Sequence, residues 1–239
     1  MELATFQHLQ CYREIAICRL ASGKGKRMSE IKIGRKTMGV CATNCYFLYR
    51  EGGTKAVVVD PAENGAGIFK LLSEKDFTVE AILLTHGHFD HLSAADAVRK
   101  RYGIKVYAGN EERPVMNSSS YNLSLPFTGE GMTFEADEYF KPGKELDFAG
   151  FRIETIPVPG HTIGSVCYYF EEQKVLFSGD TLFAGSVGRS DFPTGNAGQL
   201  IRAIKSGLMS LPDDVKVYPG HGESTTIGCE RVNNPFIQG

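Results

Sequence analysis

The chain from residue 31 onward alternates short apolar runs with turn residues and amphipathic stretches. The runs are rich in β-branched, aliphatic and aromatic side chains, which predicts buried or half-buried strands over 31–34, 44–49, 55–60, 79–84, 104–107, 151–156, 174–177 and 215–218. Apolar positions at helical spacing predict helices over 65–75, 93–102 and 198–210, with Ser93 as the N-cap and Gly103 as the stop of the second. Strands that alternate with helices indicate an α/β protein.

Residues 111–142 show no regular period and are predicted to form a long polar loop. Long loops in compact domains often lie over a functional site, so aromatic side chains in this loop are candidates to line a pocket. The candidates are Tyr121, Phe127, Tyr139 and Phe140. The alternative is that these rings only pack the loop against the core.

Residues 1–30 differ from the rest because they contain a basic run at 22–27 and lack strand alternation. We predict an N-terminal extension there, followed by one catalytic domain over residues 31–239. The extension could be a short helix, a flexible basic tail or residues upstream of a start at Met28.

The composition limits the cellular setting and the classes of partner. With 42% hydrophobic residues among 239, the chain can bury a sizeable core. Its formal net charge of −2 gives no reason to expect nucleic acid or an anionic membrane as a partner. We expect a cytoplasmic protein, because the sequence shows neither an apolar run long enough for a membrane span nor a secretory signal. The six cysteines form no C-x-x-C pair, which favours reduced thiols over a disulfide framework.

One loop carries four strong metal ligands within six residues. The pattern T-H-x-H-x-D-H occupies residues 85–91, directly after the apolar run 79–84. Imidazole suits zinc, iron and neighbouring metals, and a carboxylate adds a hard, negatively charged oxygen. The candidate ligands are His86, His88, Asp90 and His91. A histidine-rich surface loop without metal is the alternative that this spacing disfavours.

Three later strands end in a glycine that is followed by a possible ligand. Pro-Gly-His at 159–161, Gly-Asp at 179–180 and Pro-Gly-His at 219–221 add His161, Asp180 and His221. Glycine permits the tight backbone turn that directs the next side chain inwards. Five of the six histidines then occupy positions suited to a metal. Seven nitrogen and oxygen ligands on such loops fit an open catalytic site better than a structural zinc site, which usually has four Cys or His ligands.

The motifs T-H-G-H-F-D-H, P-G-H-T, G-D-T and P-G-H-G, in this order, make the chain from about residue 31 to its end resemble the metallo-β-lactamase-fold hydrolases. The resemblance implies a four-layer αββα sandwich, with two mixed sheets, helices outside and the site at one edge. It divides the candidate ligands between two metals: His86, His88 and His161 for the first, Asp90, His91 and His221 for the second, and Asp180 for both. We expect two divalent ions. Zinc is the preferred identity, and iron and manganese are the alternatives.

Within the superfamily, the segments 188–193 (G-R-S-D-F-P) and 225–236 (T-T-I-G-C-E-R-V-N-N-P-F) resemble the short glyoxalase II-type, or hydroxyacylglutathione hydrolase-like, enzymes. This implies hydrolysis of a small-molecule thioester by a metal-bound hydroxide, with Asp90 and Asp180 as catalytic carboxylates. Full-length glyoxalase II enzymes have a C-terminal helical domain that helps to hold glutathione. This chain ends soon after His221 and is expected to lack that domain, so the thiol carrier can be glutathione or another thiol. The acyl group and the oligomeric state also stay open. Asp180 stands where the β-lactamases of the family typically carry Cys, which argues against antibiotic hydrolysis.

Other activities occur in the same fold. Sulfur dioxygenases, which use one iron and act on glutathione persulfide, share the H-x-H-x-D-H loop and a G-R-[ST]-D-F segment, and they are the nearest alternative. A nuclease would need a broad basic surface or added recognition modules, and the sequence indicates neither.

Four further polar residues have two alternative roles each. Asp60, at the end of a predicted strand, is either a turn residue or a carboxylate that orients a metal-bound histidine. Arg189 and Asp191 are predicted to form a buried ion pair that braces Asp180, with contact to an acidic substrate as the alternative. The same alternatives apply to Arg231.

Overall fold

A computed structural model describes residues 30–63, 65–74, 76–141 and 143–238. The extension predicted over residues 1–30 therefore lies outside the described residues except for Glu30, and the division into extension and catalytic domain stays a prediction.

Two mixed sheets of six strands each form the centre of the described chain. The first has its strands in chain order: β1 (Ile31–Met38), β2 (Thr43–Arg50), β3 (Lys55–Val59), β4 (Thr78–Leu83), β5 (Lys105–Gly109) and β6 (Glu138–Phe140). The second has the order β14-β13-β10-β9-β8-β7, formed by β7 (Glu145–Phe148), β8 (Phe151–Pro157), β9 (Val166–Phe170), β10 (Val175–Gly179), β13 (Lys216–Pro219) and β14 (Thr225–Thr226). A small hairpin of β11 (Leu182–Phe183) and β12 (Ser186–Val187) follows β10.

Short helices connect these strands and follow the last of them in the described residues. They are α1 (Gly65–Glu74), α2 (Phe89–Leu92), α3 (Ala95–Tyr102), α4 (Arg113–Met116), α5 (Ser124–Thr128), α6 (Ala197–Ala203), α7 (Ile227–Asn233) and α8 (Pro235–Gln238). Helical turns of other kinds cover Asn110–Glu112, Glu171–Gln173 and Ile204–Leu208, and the last of these continues α6.

Three apolar clusters separate four layers. Alternate side chains of a strand point to opposite faces, so Val57 and Val59 of β3 pack between the two sheets whereas Val58 packs on the outer side. The cluster between the sheets is rich in aromatic rings, among them Tyr46, Phe151, Tyr168, Phe170 and Phe177. Ile68 of α1 and Val98 of α3 join the cluster outside the first sheet, and Leu200 of α6 and Ile227 of α7 join the one outside the second. The expected αββα sandwich is therefore confirmed.

Two local predictions are wrong. Ser93 is the C-cap of α2, where its hydroxyl donates a hydrogen bond to the Phe89 carbonyl, and the N-cap of α3 is Ala94. Residues 111–142 are more regular than a polar loop, because they include α4, α5 and β6. Tyr139 and Phe140 pack against the core, whereas Tyr121 and Phe127 are exposed.

The helices among the described residues are all too short or too polar to span a bilayer. Cys41, Cys45 and Cys167 are free thiols, as expected for these three. Cys229 is disulfide-bonded, so the prediction of reduced thiols is wrong for that residue.

Candidate metal centre

All seven predicted ligands lie at one edge of the sandwich. His86 follows β4 of the first sheet, and its neighbours His88, Asp90 and His91 occupy the loop and short helix α2 that come next. The other three, His161, Asp180 and His221, follow β8, β10 and β13 of the second sheet. Three subsets of these side chains each have ligand atoms within 4.8 Å of one another. The structure brings together every residue that the sequence selected, and their role as ligands stays a prediction.

Three buried imidazoles form the first group. His88 Nδ1 lies 3.1 Å from His86 Nε2 and 3.0 Å from His161 Nε2. Burial lowers the pKa of all three rings, that of His88 to about 3. The rings are therefore neutral at pH 7, and their lone pairs are available to a metal ion.

The second group combines two histidines with Asp90. His221 Nε2 lies 3.4 Å from Asp90 Oδ2 and 3.4 Å from His91 Nε2. Burial disfavours protonation of His91 and His221, but the nearby carboxylates outweigh it and raise the pKa of both rings, that of His221 to about 9. Burial disfavours the anion at Asp90, but His91 and His221 lower its pKa to about 2. A metal ion bound here would replace protons on the two imidazoles.

Asp180 lies between the two groups. One of its oxygens, Oδ1, is 3.3 Å from His91 Nε2, and the other, Oδ2, is 3.3 Å from His221 Nε2 and 3.7 Å from His161 Nε2. Its Oδ1 atom is buried without a hydrogen-bond partner in the described part of the chain. Burial of a carboxylate oxygen without a partner costs free energy, and a bound cation would remove that cost. Asp180 Oδ1 therefore fits the role of a cation ligand. The donor set as a whole suits a dinuclear metal site.

Asp60 orients His91, which is the second of the two roles considered for it. The Asp60 carboxylate accepts hydrogen bonds from Thr85 N at 2.8 Å and Thr85 Oγ1 at 2.7 Å, and His91 Nδ1 lies 2.9 Å from Asp60 Oδ2. With Nδ1 engaged in this way, His91 presents Nε2 to the centre. Carboxylates that act on metal-bound histidines from behind in this manner are common in metalloproteins.

The contacts of Arg189 and Arg231 correct one prediction and decide another. Arg189 and Asp191 form a bidentate pair, but both side chains are mostly exposed, so the predicted buried pair is wrong. Support for the centre comes instead from the Arg189 backbone, whose carbonyl accepts a 2.7 Å hydrogen bond from His161 Nδ1. Arg231 braces the fold, because its guanidinium donates to the carbonyls of Met209 and Leu211.

The start of β2 holds the His221 loop, a function that the sequence analysis missed. Thr43 pairs with His221 in an isolated bridge, and its hydroxyl donates to Asp90 Oδ2 at 2.7 Å. Asn44 Nδ2 and Tyr46 OH both donate to the Pro219 carbonyl, at 3.1 and 2.7 Å. The signal available in the sequence was the pair of small polar residues Thr43 and Asn44 at the start of the apolar strand β2.

Glycine at position 188 allows the segment after the hairpin to approach Asp180 closely. A Cβ at Gly188 would lie 1.8 Å from the Asp180 carbonyl oxygen and 3.4 Å from His161 Nδ1. Any other residue would displace a ligand-bearing loop.

An apolar rim borders the first group of ligands. The Phe192 ring centroid is 6.0 Å from that of His88 and 6.0 Å from that of Phe127, whose ring in turn is 6.0 Å from Phe89. Phe127 is 55% exposed and Ile163, two residues after His161, is 45% exposed. We use the term apolar rim for Phe127, Ile163 and Phe192.

Comparison with known proteins places this architecture in a family. The model of the metallo-beta-lactamase superfamily matches residues 38–221, a range that includes all seven candidate ligands. The chain belongs to the metallo-β-lactamase superfamily. The family resemblance read from the sequence motifs is thus confirmed.

Curated relatives are similar over nearly their whole length. The "Probable metallo-hydrolase YqgX" of Bacillus subtilis (strain 168) is 37% identical over 210 residues, which cover 87% of this chain and 99% of the relative. The "Hydroxyacylglutathione hydrolase GloC" of Haemophilus influenzae is 35% identical over 196 residues, which cover 81% and 92%. These relatives support a metallo-hydrolase.

Solved structures agree on the fold and differ in what their names state. The B3 metallo-beta-lactamase BLEG-1 matches with a TM-score of 0.83 and 38% identity, over 87% of this chain and 100% of that one. TTHA1623 in a di-iron-bound form matches with 0.74 and 33%, over 85% and 99%. ETHE1 from Myxococcus xanthus matches with 0.71 and 28%, over 85% and 83%.

Proposed function

We propose that this metallo-hydrolase cleaves thioesters of the hydroxyacylglutathione type at a centre of two zinc ions. The observation that carries the proposal is that seven side chains with nitrogen or oxygen donor atoms lie together as two groups, with Asp180 between them. The similarity to GloC and the segments 188–193 and 225–236 support a thioester as the substrate.

The residues present fit the metals and indicate where they would be held. His86, His88 and His161 would bind one ion, Asp90, His91 and His221 the other, and Asp180 both. When bound, such a pair lowers the pKa of water towards about 7 and polarises a carbonyl group. The His221 side chain is 29% exposed, so the second group is accessible to solvent and substrate.

Asp90 is the proposed acceptor for the proton of the attacking water. The Thr43 hydroxyl donates to its Oδ2 atom, which fixes the carboxylate beside His221. A thiolate leaving group needs little acid assistance, so none of the neighbouring side chains has to act as a general acid. The apolar rim would contact the acyl group, since exposed aromatic rings bind apolar surface favourably.

Metal analysis of protein purified without added metal, followed by assays, tests the proposal. We expect about two zinc ions per chain, hydrolysis of lactoylglutathione or another thioester, loss of activity on chelation and recovery when zinc is restored. In His88→Ala both metal binding and turnover should fall. Full thioesterase activity in metal-free protein would contradict the proposal, and hydrolysis of a β-lactam in place of thioesters would assign the substrate class named for BLEG-1.

A mononuclear-iron persulfide dioxygenase is the second candidate. The segment 188–192 (G-R-S-D-F), on which this candidate depends, lies directly against the first group through the Arg189 carbonyl. One iron per chain, with oxygen uptake that depends on glutathione persulfide and no thioesterase activity, would favour it. The complete second group of ligands favours the hydrolase.

A further inference from the structure

We propose that Glu112 is a positioning residue that fixes the two loops of the first ligand group relative to each other. It lies in the turn Asn110–Glu112 after β5 and is 1% exposed, and its hydrogen-bond partners among the described residues are Gly87, Thr162 and Gly164 rather than the candidate ligands. The inference rests on the proposed metal centre and goes beyond it by assigning a function to a residue outside the seven ligands.

One carboxylate connects both loops. Glu112 Oε1 accepts a 2.7 Å hydrogen bond from the backbone N–H of Gly87, the residue between His86 and His88. Its Oε2 atom accepts hydrogen bonds from Thr162 Oγ1 at 2.9 Å and from the N–H of Gly164 at 2.8 Å. Thr162 follows His161 directly. The Glu112 side chain therefore bridges the loop that carries His86 and His88 and the loop that carries His161.

Two glycines allow the loops to pack closely around Glu112. A Cβ at Gly164 would lie 2.2 Å from Glu112 N, and one at Gly87 would lie 2.8 Å from Met116 Cγ and 3.2 Å from Glu112 Oε1. Both loops reach the carboxylate because each has a glycine at the point of contact.

The chemistry of the contact favours a carboxylate over an amide or an apolar side chain. All three partners of Glu112 donate, and an ionised carboxylate accepts only, whereas the amide group of Gln would set two donors against one of these N–H groups. None of the ion pairs between described residues includes Glu112, and burial raises its pKa to about 7. Burial of an acid without a cationic partner costs free energy, and an apolar side chain would fill the same space without that cost. The presence of Glu112 is therefore consistent with a positioning function.

Glu112→Gln tests the inference through metal affinity. Competition between the protein and a chelator for Co²⁺ measures the affinity of the first ligand group for the metal. The Co²⁺ absorption spectrum reports the geometry of its ligands. We expect 10- to 100-fold weaker binding and an altered spectrum, as for other residues that orient metal ligands. Thr162→Val, which removes one of the three donors and keeps the charge, should weaken binding less, and it provides the test if Glu112→Gln does not fold.

Glu230→Gln is the matched control. Glu230 is also fully buried, and its carboxylate accepts hydrogen bonds from Thr225 Oγ1, Gly185 N and Asn234 Nδ2, but none of these carries a candidate ligand next to it. We expect Glu230→Gln to lower the melting temperature and to leave Co²⁺ affinity and spectrum unchanged.

The outcomes separate this inference from the proposed function. Wild-type affinity and spectrum in Glu112→Gln, or in Thr162→Val where only that variant folds, would overturn the inference alone. Equal weakening in Glu230→Gln would also overturn it, because the effect would then be one of general stability. A wild-type protein that binds no metal would overturn the proposed function and the inference with it.

Discussion

At the end of β3, Asp60 has a backbone φ of 48°, a left-handed conformation that residues other than glycine rarely adopt. This conformation accompanies the contacts of its buried carboxylate with Thr85 and His91. Strained backbone at such a position is retained where the surrounding contacts require it. Asp60 thus connects the metal loop, through two of its residues, to the end of the neighbouring strand.

Asp60→Asn should weaken binding of the second metal ion. An amide nitrogen in place of one oxygen would face donors at Thr85 or His91, so His91 would lose its fixed orientation. We expect 10- to 100-fold weaker binding at the second site, measured by zinc titration against a chromophoric chelator. Asp137→Asn is the control, because Asp137 Oδ2 also accepts a backbone N–H, from Val106, but at a distance from the ligand loops. Unchanged binding of two ions would contradict the prediction.

Glu112 should make the stability of the metal-free protein depend on pH. Its pKa is raised from 4.5 to about 7, so between these values the folded state binds more protons than the unfolded state. The stabilisation is therefore present at low pH and is lost as pH rises from about 4.5 to 7. The difference between these two pKa values corresponds to roughly 3 kcal/mol. Glu112→Gln should lack this component, so denaturant titrations should show the stability of wild type relative to Glu112→Gln falling across that range. A constant difference would contradict the assignment.

Individual site residues could be predicted where they and their neighbours in the sequence form a recognisable motif. The candidate ligands stand next to glycines or within one short loop at strand ends, and a local pattern is enough to find them. Glu112 was not predictable, because its partners at Gly87 and Thr162 are 25 and 50 positions away in sequence. The Arg189–Asp191 pair was found from proximity, but proximity does not determine burial.

Among the elements, the short helix α2 explains why one helix start was misplaced. The H-x-H-x-D-H loop enters this helix at Phe89, so Ser93 ends one helix before α3 begins at Ala95. The Gly103 stop was correct, since its φ of 66° is the left-handed geometry of a glycine C-cap. The strands β6, β7, β9, β11, β12 and β14 were missed. β6 and β7 have only three and four residues, and a strand is recognised mainly from a longer apolar or alternating run.

Phe127 of α5 should contribute to binding of the acyl group. Its ring is 55% exposed beside Phe192 and the first ligand group, so its removal should cost little stability. We expect Phe127→Ala to raise KM about 10-fold for a thioester with a bulky apolar acyl group, corresponding to roughly 1.4 kcal/mol, and to change KM little for an acetyl thioester. Phe236→Ala is the control, because Phe236 is 50% exposed on α8 at the C-terminal end. If Phe127→Ala changes KM by the same factor for both acyl groups, the rim does not contact the acyl chain.

At the scale of the whole molecule, the candidate centre lies between the two sheets. His86, His88, Asp90 and His91 follow a strand of the first sheet, and the other three candidate ligands follow strands of the second. The Tyr46 hydroxyl of β2 also donates a hydrogen bond to the Pro219 carbonyl at the end of β13. Alternation of strands and helices indicated only an α/β protein, and the motif resemblance was needed to predict two facing sheets. Side-chain periodicity does not determine which strands share a sheet, since both faces of β2 and β3 are apolar.

Because the proposed ions would bind ligands from both sheets, they should stabilise the folded state as a whole. The unfolded chain has no such site, so each ion adds RT ln(1 + [L]/Kd), about 4 kcal/mol when the free metal is 1,000 times Kd. For a domain of this size each kcal/mol shifts the melting temperature by roughly 2–4 °C, so removal of one such ion should lower it by roughly 8–16 °C. Calorimetry of the purified protein before and after chelation, with zinc then restored, measures the shift. His88→Ala should lose most of the response attributed to the first ion and keep that of the second, because Asp90, His91 and His221 remain. A melting temperature that does not change on chelation, in protein shown by elemental analysis to have contained metal, would mean that the ions do not link the sheets.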